Sequence, residues 1–213
     1  MNYGETIAYW YLRLNGFFPL SNFVLHRAEE SVEYSADADL LAIRFPHTYE
    51  IIGGRETDWD IERFQGWGFE LQRDTIGLIT EVKTVRDTTK LREGVQRAFA
   101  EDRLLYAIHR LGMWGREQAE AITQHLLDEP LYRDPEGHSV VGKLLVSDQP
   151  PGQDQIPPCF VLLLREADEF IKRRMDDYID PKTAGRMRFP SDLVQYIIWR
   201  RSRGLLQGHT RGG

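Results

Sequence analysis

The sequence predicts a mixed α/β layer, a sheet covered by helices. Three observations carry that expectation. Apolar runs of strand length, Asp39 to Phe45, Leu78 to Val85, Val140 to Val146 and Phe160 to Leu164, are spread along the chain. Segments whose apolar residues recur at helical spacing stand before, between and after them. The composition is globular: 213 residues, 41% hydrophobic and 28% charged, long enough to bury a core and too apolar for a disordered chain.

Taken in order, Tyr3 to Asn15 reads as a helix with an apolar stripe of Ile7, Ala8, Tyr11, Leu12 and Leu14, closed by Gly16 in the position of a C-cap. Phe17 to Leu25 is the first strand, interrupted near Pro19 and Ser21-Asn22, and Asp39 to Phe45 is the second. Leu78 to Val85 is the third. The intervening segment, 46–77, is too long for a hairpin loop and is treated as an insertion. A long helix is expected from a cap at Thr88 or Thr89 to about Leu111, ended by Gly112, with Leu91, Val95, Ala98, Leu105 and Ile108 toward the sheet. Gln118 to Leu127 is a shorter helix stopped by Pro130. Two strands follow, Val140 to Val146 and Phe160 to Leu164, separated by the loop Gln149 to Pro158. Helices from about Asp168 to Tyr178 and from Ser191 to Arg201 complete the chain. The reading is thus one domain over 1–213, with the insertion and a helical C-terminal extension over 168–213.

Charge and cysteine content narrow the function classes. A net charge of −6 argues against a protein that coats nucleic acid in bulk, since phosphate affinity needs clustered basic groups. The charge is uneven: from Lys172 onward there are ten basic and four acidic residues, +6, leaving −12 for the rest. Lys172-Arg173-Arg174, Arg186, Arg188, Arg200-Arg201 and Arg203 are therefore either a phosphate-facing surface or solvated helix faces. The one cysteine, Cys159, allows no intrachain disulfide and fits a reducing cytoplasm. It precedes an apolar strand and reads as a buried thiol. No apolar run approaches the ~20 residues of a membrane span. The first charged side chain is Glu5, unlike the basic start of a signal peptide, so a cytoplasmic location is expected.

The chemistry concentrates in Glu81-Val82-Lys83. Within a strand, residues two apart share a face, so Glu81 and Lys83 point together and Val82 points away. An acid and an amine inside an apolar strand need a reason. Lysine is also scarce, five against twenty-two arginines. Asp180-Pro181-Lys182 has suitable end residues but reads as a turn, with Pro at its centre and Gly185 soon after. Asp39 opens the second strand. If that strand neighbours the third, Asp39, Glu81 and the carbonyl of Val82 supply an oxygen set suited to Mg2+, which prefers few carboxylates and keeps several waters. Lys83 would then steer or deprotonate an attacking water, or offset phosphate charge. The rival reading is a same-face ion pair of small net value. Glu5, on the first turn of the first helix, either looks toward these carboxylates or serves the helix dipole.

The order Gly4-Glu5 on an initial helix, Asn15-Gly16-Phe17, Asp39-Leu-Leu-Ala and Glu81-Val-Lys83 resembles the PD-(D/E)XK nuclease superfamily, in particular its small resolvase-like members. The resemblance covers residues 3–111 and extends to the strands up to Leu164. It implies a restriction-endonuclease-like αβββαβ core, with Asp39 and Glu81 as metal ligands and Lys83 as the catalytic lysine. Asp37 precedes the apolar run, which favours Asp39 as the first acid. The implied activity is Mg2+- or Mn2+-dependent hydrolysis of DNA in repair, recombination or defence. The alternative is a silent nuclease-fold module that binds or regulates within a larger complex. DNA is the expected partner. A homodimer, or a larger complex through 46–77, would suit paired cuts on a duplex.

The remaining candidates carry less. Gln96 follows the Glu-x-Lys strand and reads as a solvated helix residue. Glu56, Asp58, Asp60 and Glu62 alternate without the Gly a calcium loop needs, and are expected to face solvent or a partner. The six histidines make no zinc spacing, and no phosphate-cradling Gly-x-x-x-x-Gly-Lys loop is present. Trp10, Trp59, Trp67, Trp114 and Trp199 are expected in the core or at an interface.

Overall fold

A computed structural model of the chain describes residues 2–25, 36–49, 58–85, 87–135, 137–152 and 156–177. Its first helix, α1 (Tyr3–Leu14), begins at a capping box: the Asn2 side chain accepts the Glu5 N–H at 3.0 Å, and the Glu5 carboxylate accepts the Asn2 N–H at 3.0 Å. It ends where Gly16 takes φ +82°, a left-handed conformation that favours glycine. The chain then runs through β1 (Phe18–Leu25), β2 (Ala36–Arg44), α2 (Ile61–Gly66), β3 (Thr75–Lys83), α3 (Thr88–Ala98), α4 (Glu101–Leu111), α5 (Arg116–Asp128), β4 (Leu131–Arg133), β5 (Ser139–Ser147), β6 (Phe160–Leu163) and α6 (Leu164–Asp176).

The sheet order is β1-β2-β3-β5-β4, with β6 also paired to β5. β1, β2 and β3 form an antiparallel meander, while β3–β5 and β5–β6 are parallel. Antiparallel neighbours need only a turn. The parallel pair β3–β5 needs a crossover, supplied by α3, α4 and α5. The architecture is therefore α/β around a mixed open sheet, with helices on both faces. On one face α1, α2 and α6 bring Ile7, Tyr11, Phe64, Phe170 and Ile171 against Leu40, Leu78, Val82 and Leu144. On the other, α3 to α5 bring Leu91, Val95, Leu104, Ile108 and Ile122 against Leu41, Ile79, Val141 and Leu145. Strands covered on both sides read as continuous apolar runs, as β3 and β5 do.

Several boundaries differ from expectation, each for a physical reason. The single helix expected over 88–111 is two, broken at Phe99-Ala100, and its N-cap is Asp87 rather than Thr88 or Thr89. The buried stripe explains the break. Leu91, Val95 and Ala98 continue at helical spacing to Asp102, Leu105 and His109, yet the buried residues of α4 are Leu104, Ala107, Ile108 and Leu111. The break resets the phase, and Glu101 and Asp102 then sit favourably at a new helix start. Gly112 ends α4 as expected, at φ +68°. β4, three residues long, is too short for a periodic signal. α6 starts directly from β6 at Leu164, earlier than Asp168.

Residues 58–77 are drawn into the body of the fold. Phe64, Phe69 and Leu71 are buried in the α1–α6 cluster. Asp58 and Asp60 do not face solvent as expected. Asp58 is buried against Arg174 at 3.2 Å, and Asp60 accepts the Tyr11 hydroxyl at 2.7 Å and Arg63 Nε at 3.0 Å. Glu62 is exposed. Arg174 is thus removed from the expected phosphate-facing surface, and Lys172 pairs with Asp168. Arg44 is fully buried, donates to the Asn15 carbonyl at 3.0 Å and to the Leu71 carbonyl, and lies 4.5 Å from the centre of the Trp59 ring. Burial lowers its guanidinium to about 10. Trp10 is buried, and Trp59, Trp67 and Trp114 pack half-buried against the two clusters. Cys159 is half-buried, one residue before β6, and burial pushes its thiol up to about 11. Among the described residues, no helix is long and apolar enough to cross a membrane. Glu56, Asp180–Lys182, the helix expected over 191–201, Trp199 and the basic residues from Arg186 onward lie outside the described residues.

Candidate functional site

The candidate site forms where β2 and β3 part. Their antiparallel ladder ends at Leu40 opposite Thr80, so the next residues across the gap are Asp39 and Glu81. Directly opposed residues of an antiparallel pair share a face. Beyond that point, Asp39 Oδ2 accepts the Val82 N–H at 2.7 Å. The carboxylate so takes the place of a backbone acceptor, and β2 is free to leave β3. Because the N–H and C=O of a strand residue face the same neighbour, the Val82 carbonyl is turned toward the same gap. The Val82 side chain points to the opposite face, into the α1 cluster, as the period of two requires.

Glu81 is 6% exposed. Lys83, two residues on, makes an ion pair with Glu81 Oε1, and its own carbonyl accepts the Asp148 N–H at 3.2 Å. Three groups named from the sequence, Asp39, Glu81 and Lys83, therefore meet at one end of the sheet, on adjacent strands and one face. The rival ion-pair reading holds for Lys83 and Glu81 as far as it goes. It does not account for the second carboxylate, Asp39, which meets the Val82 N–H and stands opposite Glu81.

Electrostatics separate this cluster from an ordinary salt bridge. Burial and the neighbouring Asp39 charge push the Glu81 carboxyl up to about 7, in spite of Lys83. Asp39 is raised as well, chiefly by burial, against the opposing pull of the Val82 N–H and Lys83. A buried acid and a half-buried one in mutual repulsion, incompletely offset by the cations beside them, form a site that an added cation would relax. Among the described residues no group of three or more His, Cys, Asp or Glu side chains could hold a metal ion. Any metal here would be held by the two carboxylates, a backbone carbonyl and water. That sparse donor set suits Mg2+, and the residues fit it.

Glu5 stands apart from the others. Its carboxylate closes the capping box of α1, as a helix-start acid commonly does, yet its charge reaches Asp39 and raises it. The close approach comes from Gly4, where a Cβ would lie 2.6 Å from Thr84 Cγ2 and 3.1 Å from Val82 Cγ1. Gln96 is exposed, the solvated residue it was read to be.

Two residues at the site had no signal in the sequence. Arg103, in the first turn of α4, lines a small cavity with Glu81, Ile79 and Phe99 and acts to lower both carboxyls. Its approach depends on the α3–α4 break. Gly94, in α3, lies against the Lys83 side chain, with a would-be Cβ 2.7 Å from Lys83 Cε. A helix glycine beside a strand lysine can be inferred only once the packing of α3 on β3 is known.

No protein-family model, curated protein or solved structure matches this chain.

Proposed function

We propose that this protein is a Mg2+-dependent endonuclease that hydrolyses DNA phosphodiester bonds, with the restriction-endonuclease-like fold of the PD-(D/E)XK superfamily. The observation that carries this reading is the pair of carboxylates, half-buried Asp39 and buried Glu81, opposed across the parting of β2 and β3, with Lys83 on the Glu81 carboxylate. The element order through α1, β1, β2, β3 and the helix after it supports the fold assignment.

In this reading Asp39, Glu81 and the Val82 carbonyl hold the metal. When bound, Mg2+ or Mn2+ supplies charge neutralisation for the phosphorane-like transition state and lowers the pKa of a coordinated water. Asp39 keeps its carboxylate aimed at the gap through the Val82 N–H. Glu81 must lose its proton before it can act as a ligand, so occupancy and activity rise as pH passes about 7. Lys83 orients the attacking water or donates to a phosphoryl oxygen where charge develops.

The test is cleavage of labelled duplex, branched and single-stranded DNA, with RNA controls, in Mg2+, Mn2+ or EDTA. Wild type would be compared with Asp39→Asn and Lys83→Ala. Metal-dependent cutting that falls by about 10²-fold or more in both folded variants supports the nuclease. A folded wild type that cuts nothing defeats it and favours a silent nuclease-fold binding module.

A further inference from the structure

Lys83 is the last residue of β3, and its amine makes an ion pair with Glu81. A lysine stem has many rotamers, and an exposed one is seldom fixed by a single ion pair. What lies beside the stem is Gly94. This residue is in the interior of α3, where glycine is the poorest choice after proline, and it is buried on the helix face that carries Leu91 and Val95. A Cβ there would meet Lys83 Cε at 2.7 Å, Cδ at 3.4 Å and Nζ at 3.8 Å. These three nearest atoms all belong to Lys83. At Gly4, by contrast, the collisions are with the side chains of Thr84 and Val82 and with Asn2, the signature of close helix–strand packing.

We infer that Gly94 is a positioning residue: the notch it leaves in α3 is the berth that holds the Lys83 stem and sets its amine on Glu81. The consequence for catalysis rests on the reading of Lys83 as the catalytic lysine. The berth itself does not. The one contact under 3.0 Å among the three nearest atoms to a methyl group at position 94 is with the movable end of a flexible side chain, so the fold tolerates it. Helix propensity favours it, and the cost falls on where Lys83 can lie.

The experiment compares wild type, Gly94→Ala, Lys83→Ala and the double variant in three readouts. These are melting temperature, the rate of Lys83 acetylation by an amine-reactive reagent followed by mass spectrometry, and Mg2+-dependent cleavage. In Gly94→Ala the melting temperature should be kept or raised, and Lys83 acetylation should quicken severalfold as the amine leaves Glu81. The value of kcat should fall by about 10- to 100-fold with KM little changed. In the Lys83→Ala background the same substitution should raise the melting temperature through helix propensity alone and change cleavage no further. A fall in melting temperature that Lys83→Ala relieves would report the same collision. Unchanged acetylation in Gly94→Ala, or an equal loss of stability with and without Lys83, overturns the berth. If wild type cleaves nothing, the acetylation rate still decides the berth, and only the nuclease reading falls.

Discussion

Strand β3 has a buried acid at each end, and the two are treated in opposite ways. Asp74, just before the first residue of β3, is fully buried and fully engaged. Arg133 donates to its two oxygens at 2.8 and 2.9 Å, and the Glu70 N–H donates at 2.8 Å. Such a bidentate pair with a backbone donor is a closed structural clamp, joining β3 to β4. Glu81, near the other end, has one lysine and faces a second acid, and its carboxyl is pushed up to about 7. Burial of an acid therefore does not mark a site. What separates Glu81 from Asp74 is incomplete neutralisation, opposite a second carboxylate at the edge of a ladder.

This contrast can be broken from either end. The largest effect should come from exchanging the roles. Lys83→Ala and Asp39→Asn should remove metal-dependent cleavage while leaving the melting temperature near that of wild type. Asp74→Asn should cost about 2–3 kcal/mol of stability, because Arg133 loses its charge partner, and should leave the activity of the folded fraction intact. Urea denaturation beside a cleavage assay separates the two. A stable, inactive Asp74→Asn would erase the distinction.

A smaller effect of opposite sign is expected at Glu81. Its folded pKa, about 7, lies above the ordinary value of 4.5, so the folded state binds the proton more tightly than the unfolded one. Stability from this group is then complete below about pH 4.5 and is lost as pH rises through 7. Glu81→Gln removes the loss. It should be close to neutral at pH 4.5 and stabilise by on the order of 1–3 kcal/mol at pH 8.5 in metal-free buffer. Thermal melts across that range check it, and a variant less stable at pH 8.5 than at pH 4.5, relative to wild type, contradicts the electrostatic picture. Smaller again is Arg103→Met. It withdraws a positive charge that lowers both carboxyls, so Glu81 should titrate at still higher pH, as carbon-detected NMR of its carboxyl would read.

Much of this site was legible in the sequence because strand periodicity is rigid. Once 78–85 reads as a strand, Glu81 and Lys83 must share a face; Asp39, expected to open the preceding strand, is instead the fourth residue of β2, which begins at Ala36, and still comes opposite Glu81. The same rule puts Val82 on the opposite side. The covering helices were legible only in part. Tyr3–Leu14 is marked by its apolar stripe and by Gly16 at its end, whereas the break at Phe99-Ala100 carries no Gly or Pro and follows from where the buried stripe must point. Asp58 and Asp60 look like a solvated acidic run because their partners, Arg174 and Tyr11, are distant in the chain. Gly94 and Arg103 acquire meaning only from the packing of α3 and α4 on β3, which no local pattern encodes.

A cation site at Asp39 and Glu81 is read by Mn2+ binding, measured by calorimetry or electron paramagnetic resonance. Wild type should bind one Mn2+ at pH 8. Its affinity should fall by about tenfold per unit below pH 7 as Glu81 takes up a proton, and binding should be lost in Asp39→Asn and Glu81→Gln. Wild type that binds no Mn2+ at pH 8, or binding that survives both substitutions, would mean that Asp39 and Glu81 form no cation site.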